Sequence, residues 1–155
     1  MPTFALNFSR PGSEVIAQYY MFLHLGREGY TRVQRRSQRV AMFLSEEIGK
    51  IGPYECLTDG SELPVFAFKL KDEVKNYSVF DVSGRLRERG WQVPAYTFPE
   101  NRQDLAVLRI VVRAGMNHDM ADLFLADLRS QTAYLEQLAS PLPPRDPTRA
   151  GGFAH

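Results

Sequence analysis

Residues 43–57, FLSEEIGKIGPYECL, contain the point at which the pattern of the chain changes from helical to extended. Before this point, apolar residues recur at steps of three and four, which is the spacing of one face of an α-helix. Gly52 and Pro53 then supply a residue suited to end a helix and a residue that cannot continue one. After them, apolar and polar residues alternate, as along a β-strand. The stretch therefore predicts a helix that leads into a sheet.

Upstream, the helical pattern extends back to residues 11–13, where proline, glycine and serine form a typical helix start. We expect Gly26 and Gly29 to bend or interrupt this long helix. Its basic residues have helical spacing, which is more typical of a solvated helix face than of a binding patch; they are Arg32, Arg35, Arg36 and Arg39.

Downstream, the chain predicts strands at 54–57 and 64–70, a helix capped by Ser78 and Asp81 and closed by Gly90, strands at 91–96 and 105–113, and a last helix capped by Asn117. Pro94 favours an edge position for its strand, or a strand end at this point. The buried stripe expected on the last helix is Met120, Leu123, Phe124, Leu128, Leu135 and Leu138. This order predicts an α+β fold, a long N-terminal helix plus a small, mainly antiparallel sheet with helices on one face.

The numbers of charged residues, cysteines and histidines limit the partners, compartment and metal sites that the sequence predicts. The 155 residues include 19 basic and 18 acidic side chains, spread along the chain, so the sequence predicts neither nucleic acid nor a membrane as a partner. A single cysteine, Cys56, allows no intrachain disulfide and favours a reducing compartment, and we expect a cytoplasmic protein. The three histidines lie far apart, and we assign no metal site.

Arg109 is the most unusual side chain, because it lies within the apolar stretch LAVLRIVVR of residues 105–113. A period of two places it on the same face as Val107 and Val111, opposite the face that we expect to be buried. A guanidinium on a rigid strand suits bidentate recognition of a carboxylate or phosphate. The alternative is a structural ion pair with an acidic residue such as Asp104 or Glu100. The spacing leaves both interpretations open.

A second candidate segment is NFSRP, residues 7–11, directly before the long helix. Backbone amides and a hydroxyl at a helix N-terminus can bind an anion. Ser9 or Ser13 could equally serve only as a helix cap.

Several stretches together resemble glutamate decarboxylases. They are TFALNFSRP (3–11), VIAQYY (15–20), LGREGY (25–30), IGPYE (51–55), FKLK (68–71), LRERGWQVPA (86–95) and LRIVVR (108–113). The resemblance covers essentially the whole chain and is weakest between residues 141 and 152.

The resemblance implies decarboxylation of L-glutamate to 4-aminobutyrate with pyridoxal phosphate as the electron sink. It also implies the type I fold of pyridoxal-phosphate enzymes, a homodimer or larger homo-oligomer, and a missing N-terminal large domain as a partner. Residues 1–52 then correspond to the end of the large domain and a connecting helix, 53–140 to the small C-terminal domain, and 141–155 to a Pro-rich tail. The Ser-x-His-Lys type motif that carries the Schiff-base lysine in this family does not occur in the chain, so we expect the chain alone to be inactive.

The resemblance further implies roles for four residues. Arg109 corresponds to the arginine that binds the substrate's α-carboxylate. Phe8 corresponds to a residue that reaches a neighbouring subunit's substrate, and Ser9 to one that reaches its cofactor phosphate. His155 resembles a C-terminal histidine that blocks the active site at neutral pH and is released when acid protonates it, near pH ~6.5 for a free imidazole. The alternative function is a stand-alone carboxylate-binding or structural module without catalysis.

Overall fold

The computed structural model describes residues 11–140 and 142–143. Their elements are α1 (Ser13–Gly49), β1 (Tyr54–Cys56), β2 (Val65–Leu70), α2 (Val79–Glu88), β3 (Ala95–Thr97), β4 (Ala106–Val111) and α3 (His118–Glu136). The predicted α+β order is confirmed. In this part of the chain, no helix is long and apolar enough to cross a membrane.

The long helix α1 is kinked at Gly26, as predicted. Gly26 has φ 55° and ψ −172°, a backbone conformation that side-chain-bearing residues rarely adopt. The prediction for Gly29 was wrong, because Gly29 is buried inside the helix with helical geometry. A Cβ atom at Gly29 would lie 2.9 Å from the Cβ atom of Leu25, so this glycine allows close side-chain packing rather than a bend.

The described strands form one antiparallel sheet in the order β1-β2-β4-β3. The edge position predicted from Pro94 is confirmed, but the strand begins only at Ala95. Its expected first residue, Trp91, instead closes α2, since its backbone N–H donates to the carbonyl of Leu86 at 3.0 Å. Gly90, with φ 90°, makes this reversal of the chain possible.

The helices cover one face of the sheet, as predicted, and the core lies between them and the central strands. Phe66 and Phe68 of β2 and Leu108 and Ile110 of β4 are buried on this face. They belong to one hydrophobic cluster with helical residues that include Leu44, Ile48, Leu86, Phe124 and Leu128. On the other face of these two strands Val107 alone is buried, so the described helices leave most of this face uncovered.

The predicted caps of α2 and α3 are present, whereas α1 begins after Gly12 with no side-chain cap, so Ser13 does not serve as one. Ser78 and Asp81 form a capping box at the start of α2, and the Asn117 side chain accepts a hydrogen bond from the backbone N–H of Met120 at 2.9 Å. The buried stripe of α3 was partly wrong, because Met120 and Leu123 are 41% and 60% exposed. The helix is rotated so that its buried positions are Ala121, Phe124, Leu125, Leu128, Gln131, Thr132 and Leu135.

Candidate functional site

Arg109 lies on β4, a central strand of the sheet, on the face that the helices leave uncovered. Along β4 the exposure alternates as expected: Leu108 and Ile110 are buried, whereas Arg109 and Val111 are exposed. Val107 departs from this pattern, since it lies on the uncovered face and is only 1% exposed. The face assignment made from the sequence is therefore confirmed for Arg109.

The backbone of Arg109 is fixed from both sides. Its Cα pairs with that of Ala67 on β2. Its N–H donates to the carbonyl of Pro94, next to β3, at 3.1 Å. A residue in a central strand paired on both sides has little backbone freedom, so the side chain projects from a rigid platform.

The guanidinium of Arg109 lies against an aromatic ring and not against an acid. Its central carbon is 5.4 Å from the centroid of the Tyr96 ring. No carboxylate of the described residues lies within 4 Å of it; Asp104, one candidate partner, pairs instead with Arg102 at 3.5 Å. The structural ion pair with Asp104 or Glu100 is thus not formed, and no carboxylate of the described part of the chain occupies the N–H donors of Arg109.

Lys69 is the lysine on the same face of the sheet as Arg109. Its ammonium nitrogen lies 3.2 Å from Glu55 and 3.9 Å from Asp72. Two other lysines are also engaged: Lys50 pairs with carboxylates of α1, and Lys71 donates to the carbonyl of Gly52 at 2.7 Å. These contacts are structural. None of these three lysines presents the free amine that covalent binding of an aldehyde cofactor requires.

The other sequence-derived site residues, Phe8, Ser9 and His155, lie outside the described residues. Their roles stay predictions. Within the described residues, no group of three or more His, Cys, Asp and Glu side chains is arranged to hold a metal ion.

A second feature is the apolar surface of α1, which we define as residues Val15, Ile16, Tyr19, Tyr20, Phe22 and Leu23. Each of these side chains is more than half exposed, between 54% and 70%. Apolar side chains clustered in this way on a surface mark a site of contact with another protein surface.

Two features were not found from the sequence. One is a shallow surface cleft of about 470 Å³ between α1 and the β1–β2 loop, lined in part by Arg27, Tyr30, Arg35 and Pro64. The other is the approach of Tyr96 to Arg109. The cleft depends on how α1 packs against the loop, and the approach of Tyr96 to Arg109 depends on strand order and register, so neither can be read from local periodicity. The four basic residues of α1 singled out above are exposed, as expected for a solvated face.

Comparison with known proteins gives a consistent result. Residues 1–71 match the family model described as the pyridoxal-dependent decarboxylase conserved domain. The chain is 49% identical to the glutamate decarboxylase of Aliivibrio fischeri over 131 residues, which cover 83% of this chain and 28% of that protein. It is 37% identical to the glutamate decarboxylase of Lactococcus lactis over 156 residues, which cover the whole chain and 34% of that protein. The chain therefore spans about a third of the length of these relatives.

Solved structures agree with the sequence comparison. A glutamate decarboxylase of Lactobacillus brevis superimposes with a TM-score of 0.81 at 39% identity, over 89% of this chain and 32% of that one. A serine palmitoyltransferase of Sphingomonas wittichii superimposes with a TM-score of 0.67 at 18% identity, over 84% of this chain and 31% of that one, a likeness of fold alone. The fold of the described residues is thus shared with about a third of each of these longer chains.

Proposed function

Because the chain is homologous to the C-terminal portion of glutamate decarboxylases, we propose that it is the C-terminal part of an enzyme that converts L-glutamate to 4-aminobutyrate and carbon dioxide. One observation carries the role of this part. Arg109 stands on a central strand, exposed on the uncovered face, and no acid of the described residues pairs with it.

In this proposal Arg109 binds the α-carboxylate of glutamate. A guanidinium presents N–H donors in a planar fork that matches the two oxygens of a carboxylate. The sheet fixes the base of the side chain, so the position of the bound carboxylate is set by the fold rather than by a mobile loop. Arg109 thereby holds the group that is lost in the reaction, and it does so without donating a proton to it.

Pyridoxal phosphate supplies the electron sink in the complete enzyme of this proposal. Three of the four lysines of this chain, Lys50, Lys69 and Lys71, are engaged in structural contacts, and none of the four, Lys75 included, lies in a Ser-x-His-Lys type motif. We therefore assign covalent attachment to the missing part of the enzyme, and infer that the chain alone does not decarboxylate glutamate. Ser9 and Phe8 are assigned to the cofactor phosphate and the substrate of a neighbouring subunit, by resemblance.

The apolar surface of α1 is assigned to contact with the missing part of the protein. Its side chains are far more exposed than those of the C-terminal half of the same helix, where Val40, Leu44 and Ile48 are fully buried. The apolar side chains of α1 are thus buried at its C-terminal end and exposed at its N-terminal end. This distribution fits a helix that connects two domains. This supports the division at residue 52 between large-domain residues and the small domain at 53–140, with 141–155 as a tail, in a homo-oligomer.

A complementation experiment tests the proposal. The chain is expressed alone and together with the part of the Aliivibrio fischeri enzyme that precedes the matching region, and release of carbon dioxide from L-glutamate is measured with added pyridoxal phosphate. We expect no activity from either piece alone and activity from the pair, with the activity of the pair strongly reduced when the chain carries Arg109→Gln. Activity of the chain alone, or tight calorimetric binding of glutamate to it, would favour an independent module instead.

A further inference from the structure

We propose that Tyr96 is a positioning residue for Arg109, whose ring holds the guanidinium in the orientation that receives a carboxylate. This inference rests on the proposed function and deepens it, because it names a second residue of the same site. The two side chains come from different strands, and their contact is a product of the fold.

The sheet register brings the two residues together. Tyr96 of β3 pairs with Val107 of β4, and Arg109 lies two positions further along β4 on the same face. Such diagonal neighbours are separated by a distance that aromatic and long side chains can bridge. The resulting separation of 5.4 Å between guanidinium carbon and ring centroid lies within the range of a cation–π contact.

The backbone of β3 holds Tyr96 in place at both ends. At one end the N–H of Arg109 donates to the carbonyl of Pro94 at 3.1 Å, and at the other the N–H of Phe98 donates to the carbonyl of Leu105 at 2.9 Å. Tyr96 itself is half-buried. The backbone that carries the ring is therefore held in place next to Arg109.

An aromatic partner orients a guanidinium without using its hydrogen-bond donors. A ring contacts the guanidinium through the ring face, whereas a carboxylate would occupy the N–H groups directly. Arg85 shows the contrast: it also lies over a ring, that of Tyr134, but its donors are taken by Glu88 at 2.6 Å and Gln131 at 3.0 Å. Arg109 has the ring without such acceptors among the described residues.

The strand on the other side of Arg109 places a small side chain next to it. Its direct neighbour there is Ala67 of β2, whose side chain is a single methyl group. An aromatic residue on one side and a small residue on the other bias the guanidinium towards Tyr96 and leave space above Ala67. We assign that space to the carboxylate of the ligand.

The test uses a cycle of variants in the complete enzyme, reconstituted from this chain and the preceding part. Tyr96→Phe keeps the ring, whereas Tyr96→Leu and Tyr96→Val remove it with side chains that a strand tolerates. We expect kcat/KM for glutamate to fall by about 3- to 30-fold in the two aliphatic variants, mainly through KM, and to stay near the original value in Tyr96→Phe. Thermal unfolding of each variant checks that the fold is kept.

The double variant Arg109→Gln/Tyr96→Leu separates positioning from a structural role. If Tyr96 acts through Arg109, the loss of the ring has no further effect once the guanidinium is gone, so the two losses are not additive. Additive losses, or a Tyr96→Phe variant as impaired as Tyr96→Leu, would overturn the inference. Normal turnover in Arg109→Gln would instead overturn the proposed function itself, so the two failures are distinguishable.

A measurement on the chain itself gives an independent readout. The ring current of Tyr96 is expected to shift the Arg109 Nε–H resonance in the ¹⁵N–¹H spectrum, and this shift should be retained in Tyr96→Phe and lost in Tyr96→Leu. A resonance that does not move between the two variants would show that the ring and the guanidinium are not in contact, and it would overturn the inference.

Discussion

Tyr54 of β1 donates a hydrogen bond to the hydroxyl of Thr132 of α3, over 2.8 Å inside the core. The direction follows from the second bond of Thr132, whose only hydroxyl proton goes to the carbonyl of Leu128 at 2.7 Å. Burial raises the pKa of the Tyr54 phenol, so the donor stays protonated across the ordinary pH range. This bond joins the first strand of the small sheet to the last described helix.

Removal of the Tyr54 hydroxyl should weaken that connection. We expect Tyr54→Phe to lower the free energy of unfolding by about 1 kcal/mol, because one buried hydrogen bond is lost while Thr132 keeps its bond to Leu128. Urea denaturation measures the difference. Tyr134→Phe is the matched control, since Tyr134 is 49% exposed, and an equal loss in both variants would contradict the assignment.

Asp127 should link stability to pH. It accepts hydrogen bonds from the Trp91 indole and from Arg89, each at 2.8 Å, and these bonds lower the pKa of its carboxyl. A lowered folded-state pKa means that the contribution is complete above the unfolded value near ~3.9 and is lost as pH falls through the folded value. We expect Asp127→Asn to cost about 1 kcal/mol at pH 7 and progressively less below pH ~4.

Thermal unfolding between pH 3 and pH 7 measures this effect. Asp122→Asn, an exposed position on the same helix, serves as the control and should show little change at any pH. A penalty for Asp127→Asn that stayed constant down to pH 3 would refute the linkage.

The apolar surface of α1 predicts self-association of the isolated chain. Tyr19→Lys together with Leu23→Lys places charges four residues apart on this surface, and we expect the pair to shift the chain towards monomer. Light scattering after size-exclusion chromatography reports the mass. The matched control is Arg32→Ser with Arg36→Ser, which has the same spacing on a solvated part of the helix and should leave the mass unchanged.

The predicted role of His155 concerns the complete enzyme. Because a neutral imidazole predominates above pH ~6.5 and blocks the site in this hypothesis, deletion of residues 152–155 should raise activity near pH 7 and leave activity at pH 5 unchanged. Measured pH profiles of the intact and truncated enzymes test the prediction. Profiles that coincide would remove His155 from the account.

Local patterns were sufficient for much of the fold. The capping residues Ser78 and Asn117 and the alternation around Arg109 are signals carried by a few neighbouring residues, and they were interpreted correctly. Gly52 and Pro53 mark the change from helix to strand, but α1 already ends at Gly49 with Lys50 as its C-cap, so Gly52 does not cap it. The errors concern packing: Gly29 looked like a bend because its contact with Leu25 is not visible in the sequence, and Trp91 looked like a strand residue because its bond to Leu86 closes a helix.

In the candidate site, too, features set by the local sequence were predictable and features set by packing were not. Arg109 and its face could be identified from a period of two and from resemblance, since both depend on the strand alone. Tyr96 could not be identified, because it lies thirteen positions before Arg109 in the chain. Their contact exists only because β3 and β4 are neighbours in the sheet. The rotation of α3 that exposes Leu123 was missed for a related reason: a one-residue shift in a helical stripe depends on the surface against which the helix packs.

The most direct test of the account compares Arg109→Gln with Arg102→Gln in the complete decarboxylase. Arg102 is an exposed arginine whose partner in the described structure is Asp104, so its loss should not affect catalysis. Loss of a desolvated charged contact to the substrate costs about 2 to 5 kcal/mol, so we expect kcat/KM for L-glutamate to fall by about 30-fold or more in Arg109→Gln and to be unchanged in Arg102→Gln. Near-normal kcat/KM in Arg109→Gln would contradict the assignment of Arg109 to the substrate carboxylate.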